Sequence, residues 1–459
     1  MYRNKYDVIV AGGGPGGFPA AIAAARMGQS VLLMERGGFL GGLLAAGIPP
    51  LAYRDRAGND AVGGIAQELV DRLSLVGATS GHMRMPIHNC MTVMSPSWVR
   101  IVVLEMCEEA GVDLLFNADL MDVAVDNGRI ASATVLCKGE QLTFETGILI
   151  DATGDGIGIM RSGARYEKGE NLQPPTLVLH LGNIDFERVL GYMREHPESY
   201  RLPSTFPGIR QDLSVAEMHK TWPIMAYFDL VERARRNGEF DIARDMIDFV
   251  CTLVPGEAIL NVTRAPGCDT SDWMDATRAE IQCHKQVRQV YQFMRKYVPG
   301  FENCVISSLP SGIGARESRR IVGRKQLTVE ALEKLDIPSD SIALCGYNVD
   351  IHGANRSVEA HEASMEQMSI TPIEHAIGIP YGCLVSQNVE GLLASGRLIS
   401  VDRTIFAMTR IMPTCMACGQ AAGMAAALSL KQGIPLSDVD VRQLRAALKE
   451  AGAIVDLSA

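Results

Sequence analysis

The chain has no apolar run of about 18 residues free of charges and helix breakers, so no membrane span is expected. It has no basic surplus: 43 Lys and Arg stand against 53 Asp and Glu, a net charge of −10. Nucleic acid, whose phosphates demand a positive face, is therefore not an expected partner. The cysteines form no framework. There are 11, an odd number, and they are scattered, which suits free thiols in a reducing cytoplasmic compartment better than disulfides. No cysteine precedes Cys90, and no Cys or His cluster has the spacing of an iron–sulfur or zinc site, so no metal is expected. An apolar strand begins within about five residues of Met1, which leaves no length for a signal peptide. There are no repeats or low-complexity runs. What remains is the composition of a globular chain: 459 residues, 47% hydrophobic and 21% charged, enough for two or three domains.

Residues 5–36 carry the clearest signal. Lys5-Tyr6-Asp7-Val8-Ile9-Val10-Ala11 reads as a strand and Gly12 to Gly17 as a glycine turn. An Ala-rich helix follows, and Ser30 to Glu35 is a second strand ending in an acid. Gly12, Gly14 and Gly17 make a G-x-G-x-x-G turn. Such a turn lets the main chain approach a pyrophosphate while the helix N-terminus at Pro15, Gly16 and Gly17 points free N–H groups at its charge. Glu35, followed by Arg36, stands where a carboxylate can accept hydrogen bonds from ribose hydroxyls. The turn alone would be weak evidence; the strand, helix, second strand and acid around it supply the context.

Further along, residues 96–111 read as a helix and Val112–Phe116 as a strand. Val123–Ala131 reads as a hairpin around Asn127-Gly128, and a second strand pair is expected over 134–145. Residues 147–150 form an apolar strand entering a turn at Asp151-Ala152-Thr153-Gly154-Asp155. Charged segments at 212–248 and 273–298 read as helices. Leu392–Ala394 is a buried strand, 413–431 an Ala- and Gly-rich helix, and the tail a polar helix. The expected fold class is α/β: a Rossmann-like, three-layer dinucleotide-binding domain with an inserted α+β substrate domain. Its expected parts are 1–164 and 380–435, with the insert at 165–379 and a helical tail at 436–459.

Together, the turn at 12–17, Glu35, Gly41-Gly42, residues 151–155, Gly396-Arg397 and Gly419-Gln420-Ala421-Ala422-Gly423 resemble the glutathione-reductase-type FAD superfamily. More closely, the chain is similar to the FAD-dependent oxidoreductase family that carries R-E-S-R-R-I-x-G and C-M-A-x-G-Q-A-A-G segments. Here these are Arg316 to Gly323 and Cys415 to Gly423. The resemblance implies FAD as cofactor. It implies that Ala152, Thr153, Gly154 and Asp155 lie near the adenosine or pyrophosphate, and Gly396 and Arg397 near the ribityl and pyrophosphate. It implies that the helix beginning near Thr414 aims its positive end at the flavin, with Gly419, Gln420 and Ala421 about one turn in. Cys418 departs from the family, where Thr or a small residue is common. The resulting Cys415-x-x-Cys418 reads either as a redox pair at a helix start or as two small buried apolar residues. No second nucleotide-binding unit is read after residue 160, so the electron donor or acceptor is not identified.

Three features suggest a substrate site between insert and flavin. Arg316, Arg319 and Arg320 would share one face of a helix at i, i+3, i+4 spacing; they could hold an anion or merely form a salt-bridged face. In Asp350-Ile351-His352-Gly353, His352 could exchange a proton as hydride moves, or could be structural. Tyr381 could bind substrate or pack at a domain junction. His82, His88 and Cys90 lie in one loop that could line the site. The expected function is an FAD-dependent oxidoreductase that transfers hydride between flavin N5 and a small polar, hydroxylated or carboxylated, metabolite. A redox-neutral hydratase or isomerase and a flavin electron-transfer subunit are the alternatives. Assembly into a homo-oligomer is left open.

Overall fold

Five parallel strands form the frame that positions the turns. The structure is a computed structural model and describes residues 2–85, 88–199, 223–334, 337–352 and 373–457. In spatial order the strands are Leu392–Ala394, Ile148–Asp151, Val8–Ala11, Val31–Glu35 and Asp113–Phe116. Val8 pairs with Val31 on one side and Ile148 on the other. The strands are apolar runs because both faces of the sheet are covered. One face meets Phe18–Arg26 and Met412–Gln432, both rich in small residues. The other meets a three-stranded antiparallel sheet, Ala118–Asp126, Arg129–Cys137 and Glu140–Glu145. Tyr6, Ile9, Leu32, Leu115, Val135 and Phe144 fill that second interface, each large apolar side chain contributing about 1.5–3 kcal/mol. These are the three expected layers.

Both hairpin turns use left-handed backbone. Asn127 and Gly128 have φ of 48° and 78°, and Lys138 and Gly139 have 52° and 92°. The helix Met412–Gln432 starts with Pro413 in its first turn and stops at Gly433, whose φ is +64°.

A second body is built on a five-stranded antiparallel sheet. Its order is Pro223–Ala226, Ile247–Cys251, Ala258–Leu260, Leu179–Gly182 and Val305–Ser308. Helices Phe186–Glu195, Phe228–Arg236 and Trp273–Tyr297 pack against it. Asp272 caps the last of these by accepting from the amides of Met274 and Asp275.

Three expectations change. In the charged stretch 212–248 the described helix is only Phe228–Arg236, and residues 212–222 lie outside the described residues. Ile247, Phe249 and Cys251 alternate inward with period two, so that end is a strand. The segment 316–320 is extended rather than helical, and Arg320-Ile321 pairs with Tyr166-Glu167. The insert's own apolar core runs from Leu177 to Cys304. Strands Ser341–Cys345 and Ile377–Pro380, expected within the insert, pair with each other and pack into the core shared with Met412–Gln432.

Among the described residues no single helix is long and apolar enough to cross a membrane. Arg403–Thr409 and Met412–Gln432 are apolar enough only as a pair, and they meet at 93°. The second is buried along most of its length in the core.

Candidate functional site

The glycine turn is shaped by what a side chain would strike. Gly12 has φ of +102°, and a Cβ there would collide with the carbonyl oxygen of Ala152. A Cβ on Gly16 would lie 2.7 Å from the amide nitrogen of Gly396. Gly14 differs: a Cβ there would meet nothing nearer than Gly42 at 3.9 Å. The side-chain direction at Gly14 is thus open, at the N-terminal end of helix Phe18–Arg26. Glu35 sits beside it, its carboxylate accepting from the amides of Gly13 at 2.8 Å and Gly37 at 2.7 Å. Arg36 is exposed at the strand end. Gly41 and Gly42 also have positive φ, and Gly42 packs on Gly14 and Pro15.

The turn at 151–155 is locked from within. Asp151 is buried; its Oδ1 accepts from the Thr153 amide and hydroxyl, and its Oδ2 accepts from the Ile159 amide at 2.7 Å. Asp155 pairs with Arg397 at 2.9 Å, joining this turn to the one after strand Leu392–Ala394. The 316–320 segment braces both turns. Ser318 donates to the carbonyl of Gly154 at 2.6 Å, and Arg319 to that of Asp155 at 2.8 Å. Arg397 donates to the carbonyl of Ala315 at 2.9 Å. Arg320 pairs with Glu317 at 3.0 Å, both buried. Arg319 was expected in catalysis; its guanidinium instead serves the backbone of the 155 turn and of Ser271.

Several other expected site residues have structural partners. Gln420 accepts from the Ile65 amide at 2.9 Å and so caps helix Ile65–Leu75. Gly419 is needed because a Cβ would collide with the carbonyl of Gly16, and Gly423 because one would strike Ala20. Ala421 is buried in the same core. Gly419 and Gly423 thus let helix Met412–Gln432 pack against the glycine turn and helix Phe18–Arg26. Tyr381 is buried and donates to the carbonyl of Leu436 at 2.8 Å, which ties down the tail instead of a ligand. Thr414 is buried in the first turn of its helix. Burial pushes the Cys415 thiol up to about 12 and Cys418 well above its ordinary value, so the pair is not an activated thiolate. All 11 cysteines are free.

A second group of residues gathers at the junction of the two bodies, around Asp350. Asp350 Oδ2 accepts from Tyr347 at 3.2 Å and from Arg410 Nη2 at 3.2 Å, and lies 3.3 Å from His352 Nε2. Arg264 Nη2 donates to His352 Nδ1 at 3.4 Å. Since a guanidinium only donates, Nδ1 is the acceptor and Nε2 carries the proton toward Asp350. His88 Nδ1 lies 3.0 Å from the Tyr347 hydroxyl, which already donates to Asp350. Two asparagines, Asn89 and Asn348, hydrogen-bond to each other and pin this loop to strand Asn89–Met91. Gln173 accepts from the His352 amide at 3.2 Å, and its Nε2 has no partner among the described residues although the residue is buried.

Arg316 donates to the carbonyl of Pro174 at 2.6 Å and to Asn261 at 3.4 Å. Arg244 donates to the carbonyl of Asn261 at 2.8 Å and faces Asp248 at 3.8 Å. The side chains of Asp350, His352 and Arg410 keep 11%, 13% and 13% of their surface accessible. They are therefore largely, but not completely, buried. Burial alone would raise Asp350, but His352 and Arg410 outweigh it and hold the carboxyl well below its usual range. Burial lowers His352 to about 3 against the pull of Asp350, and Arg316 adds to the lowering. The imidazole is neutral at physiological pH.

His352 and Arg316 were expected here, and the structure brings them into one cluster; Gly353 lies outside the described residues. His82 is elsewhere, stacked on Tyr53 and bonded to Thr92 and Gln67. Cys90 is buried and its thiol is raised. Tyr347, Arg244, Arg264, Asp248 and Arg410 were missed. Only the proximity of Tyr347 to Asp350 in sequence offered a signal.

The profile of FAD-dependent oxidoreductases matches residues 7–448. The chain belongs to that family. Matches to curated proteins are local. A soluble pyridine nucleotide transhydrogenase of Mycobacterium bovis is 56% identical over 40 residues, 9% of this chain and 8% of that one. The chain thus spans less than a tenth of that relative's length in the match. A cinnamate reductase of Clostridium sporogenes is 26% identical over 155 residues, 33% of this chain and 22% of that one. Among solved structures, a geranylgeranyl bacteriochlorophyll reductase-like protein from Thermoplasma acidophilum aligns with a TM-score of 0.49. It is 13% identical, with 98% of this chain and 84% of that one covered. GidA of Aquifex aeolicus aligns with a TM-score of 0.48 at 16% identity, covering 94% and 64%.

FAD is the cofactor of this FAD-dependent oxidoreductase. The residues present fit it: the open side-chain direction at Gly14, the helix end behind it and the Glu35 carboxylate form a cradle a dinucleotide can fill.

Proposed function

We propose that this FAD-dependent oxidoreductase moves hydride between its flavin and a small polar, hydroxylated or carboxylated, metabolite bound at the cluster around Asp350 and His352. The observation that carries this reading is the Arg264–His352–Asp350–Arg410 chain at the junction of the insert and the cofactor domain. Arg410 stands two residues before helix Met412–Gln432, the helix whose positive end the resemblance to glutathione-reductase-type flavoproteins assigns to the flavin.

The cofactor would be held by the backbone at Gly12, Gly14, Gly16 and Gly17 after Pro15, by Glu35 and Arg36 on the ribose side, and by Gly41-Gly42. Ala152 to Asp155, Gly396 and Arg397 would close the opposite side, with Thr414 in the helix turn nearest the ring. When bound, FAD supplies two-electron hydride chemistry.

The protein's part is to bind, orient and move a proton. Arg316 and Arg264 orient the substrate's polar group. His352, neutral, accepts from Arg264 in the resting site. Rotation of that guanidinium onto a substrate would free Nδ1 to exchange a proton at the reacting centre, with Asp350 holding the ring by its Nε2–H. Arg410 and Tyr347 keep Asp350 ionised and in place.

Anaerobic mixing of the reduced and oxidised holoenzyme with candidate hydroxy acids, enoates and their amides tests this reading. Net bleaching or reoxidation of flavin that fails in His352→Gln, with FAD content unchanged, is the expected result. Turnover without net redox change, or redox chemistry indifferent to His352, would overturn it.

A further inference from the structure

The cluster around Asp350 holds more positive charge than its own acids neutralise. Four guanidiniums converge there from four segments: Arg244 beside strand Ile247–Cys251, Arg264 after Ala258–Leu260, Arg316 on the extended return segment, and Arg410 before helix Met412–Gln432. Arg410 and Arg244 both act on Arg316, and Arg244 and Arg316 act on Arg264.

The carboxylates can be assigned one by one. Asp350 pairs with Arg410 at 3.2 Å. Asp248 faces Arg244 at 3.8 Å. Asp245, which also faces Arg244 and Arg264, is held by Arg235 at 3.3 Å. Among the described residues this leaves Arg264 and Arg316 without a carboxylate. The side-chain partner of Arg264 is the neutral imidazole of His352, and those of Arg316 are the Pro174 carbonyl and the Asn261 amide oxygen.

A buried guanidinium does not shed its proton. Arg264 is buried and Arg316 half-buried, and the cost of such charges with no carboxylate among the described residues is relieved by an anion instead. Two further donors are ready. Gln173 Nε2 and Arg410 Nε are buried and have no partner among the described residues. Gln173 is 1% exposed and touches the His352 amide, so it belongs to this cluster.

Resting on the function proposed above, we propose that the metabolite is a small dicarboxylate, with Arg264 and Arg316 each taking one of its two negative charges. Guanidinium and carboxylate match as planar forks, and two forks specify a ligand with two separated carboxylates more sharply than one with a single charge. Gln173 Nε2 and Arg410 Nε then add neutral and charge-assisted contacts at the rim of the same ligand.

Calorimetric titration of the FAD-loaded enzyme tests this without turnover. The probes are the α,ω-dicarboxylates from malonate to adipate, fumarate, the monocarboxylates propionate and butyrate, and inorganic phosphate. At least one dicarboxylate should bind about tenfold or more tightly than every monocarboxylate and than phosphate, with affinity falling as salt rises. Arg264→Gln and Arg316→Gln should each erase that preference by about tenfold while retaining FAD and the melting temperature of a folded protein. The wild-type series stands alone should either variant fail to fold. Equal binding of mono- and dicarboxylates, tighter binding of phosphate, or no binding of any probe would overturn the proposal. Flavin redox with a neutral or monoacid substrate, alongside no dicarboxylate preference, would sink this inference and leave the hydride-transfer reading intact. Dicarboxylate binding without any flavin redox would do the reverse.

Discussion

The two working regions of this protein are made of different material. Around Gly12–Gly17 the groups that meet the cofactor cradle are backbone: glycines whose Cβ would collide with Ala152 or Gly396, and amides of Gly13 and Gly37 on Glu35. Around Asp350 the groups are polar and charged side chains brought from six separate segments, with His88, Arg244, Arg264, Arg316, Tyr347 and Arg410 contributed one at a time. The first region is a turn fixed between strand Val8–Ala11 and helix Phe18–Arg26, with backbone packed on backbone. The second is held by a hydrogen-bonded chain of polar and charged side chains, in which each member fixes the next. Backbone sites tolerate no volume; side-chain sites tolerate no loss of charge balance.

The sharpest test of that contrast is steric. A Cβ on Gly17 would collide with the Gly12 carbonyl oxygen, which is backbone and cannot move aside. Gly17→Val should cost about 3 kcal/mol or more and abolish FAD retention, read as melting temperature and flavin-to-protein absorbance ratio. At the other region, Asp350→Asn removes the partner of Arg410 and His352. It should lower kcat by about 100-fold while FAD content stays at the wild-type level. Equal loss of FAD in both variants would dissolve the distinction.

Acid should act on the second region first. His352 falls from 6.5 unfolded to about 3 in the folded protein, through burial and its arginine neighbours. Between those values the unfolded chain binds the extra proton, so stability rises with pH. The contribution is complete above about 6.5 and declines as pH drops, at about 1.4 kcal/mol per pH unit from this residue. Denaturant midpoints across pH 4 to 7 should be less acid-sensitive in His352→Gln than in wild type.

Arg319→Met should sit between the two regions in effect. It removes the donor to the Asp155 carbonyl, and about tenfold weaker FAD binding is expected with kcat preserved at saturating FAD. Tyr381→Phe should be mildest. Loss of the bond to Leu436 is worth about 1 kcal/mol in thermal or chemical denaturation and should leave kcat unchanged.

The same division explains what could be read from sequence. The strand, turn, helix and acid of residues 5–36 are local in sequence, as is the 151–155 turn, so their geometry follows from neighbours. Helix Met412–Gln432 and strands Ile148–Asp151 and Leu392–Ala394 were legible for that reason. The role of Gln420 was not, because its partner, the Ile65 amide, is 355 residues away. Arg316, Arg319 and Arg320 looked like one helical face by spacing. Pairing with Tyr166-Glu167 extended the chain and sent the three side chains to different partners. Arg264 and Arg410 lie 146 positions apart and meet only through His352 and Asp350. Nothing in either local stretch marks it.

The most direct measurement is a structure of the FAD-loaded enzyme with an unreactive dicarboxylate. The ligand should lie between Arg264 and Arg316, with a carbon facing flavin N5 and His352 within hydrogen-bond reach of it. A flavin ring more than about 10 Å from both His352 and Arg316 would contradict the account, because no reacting atom could then touch both.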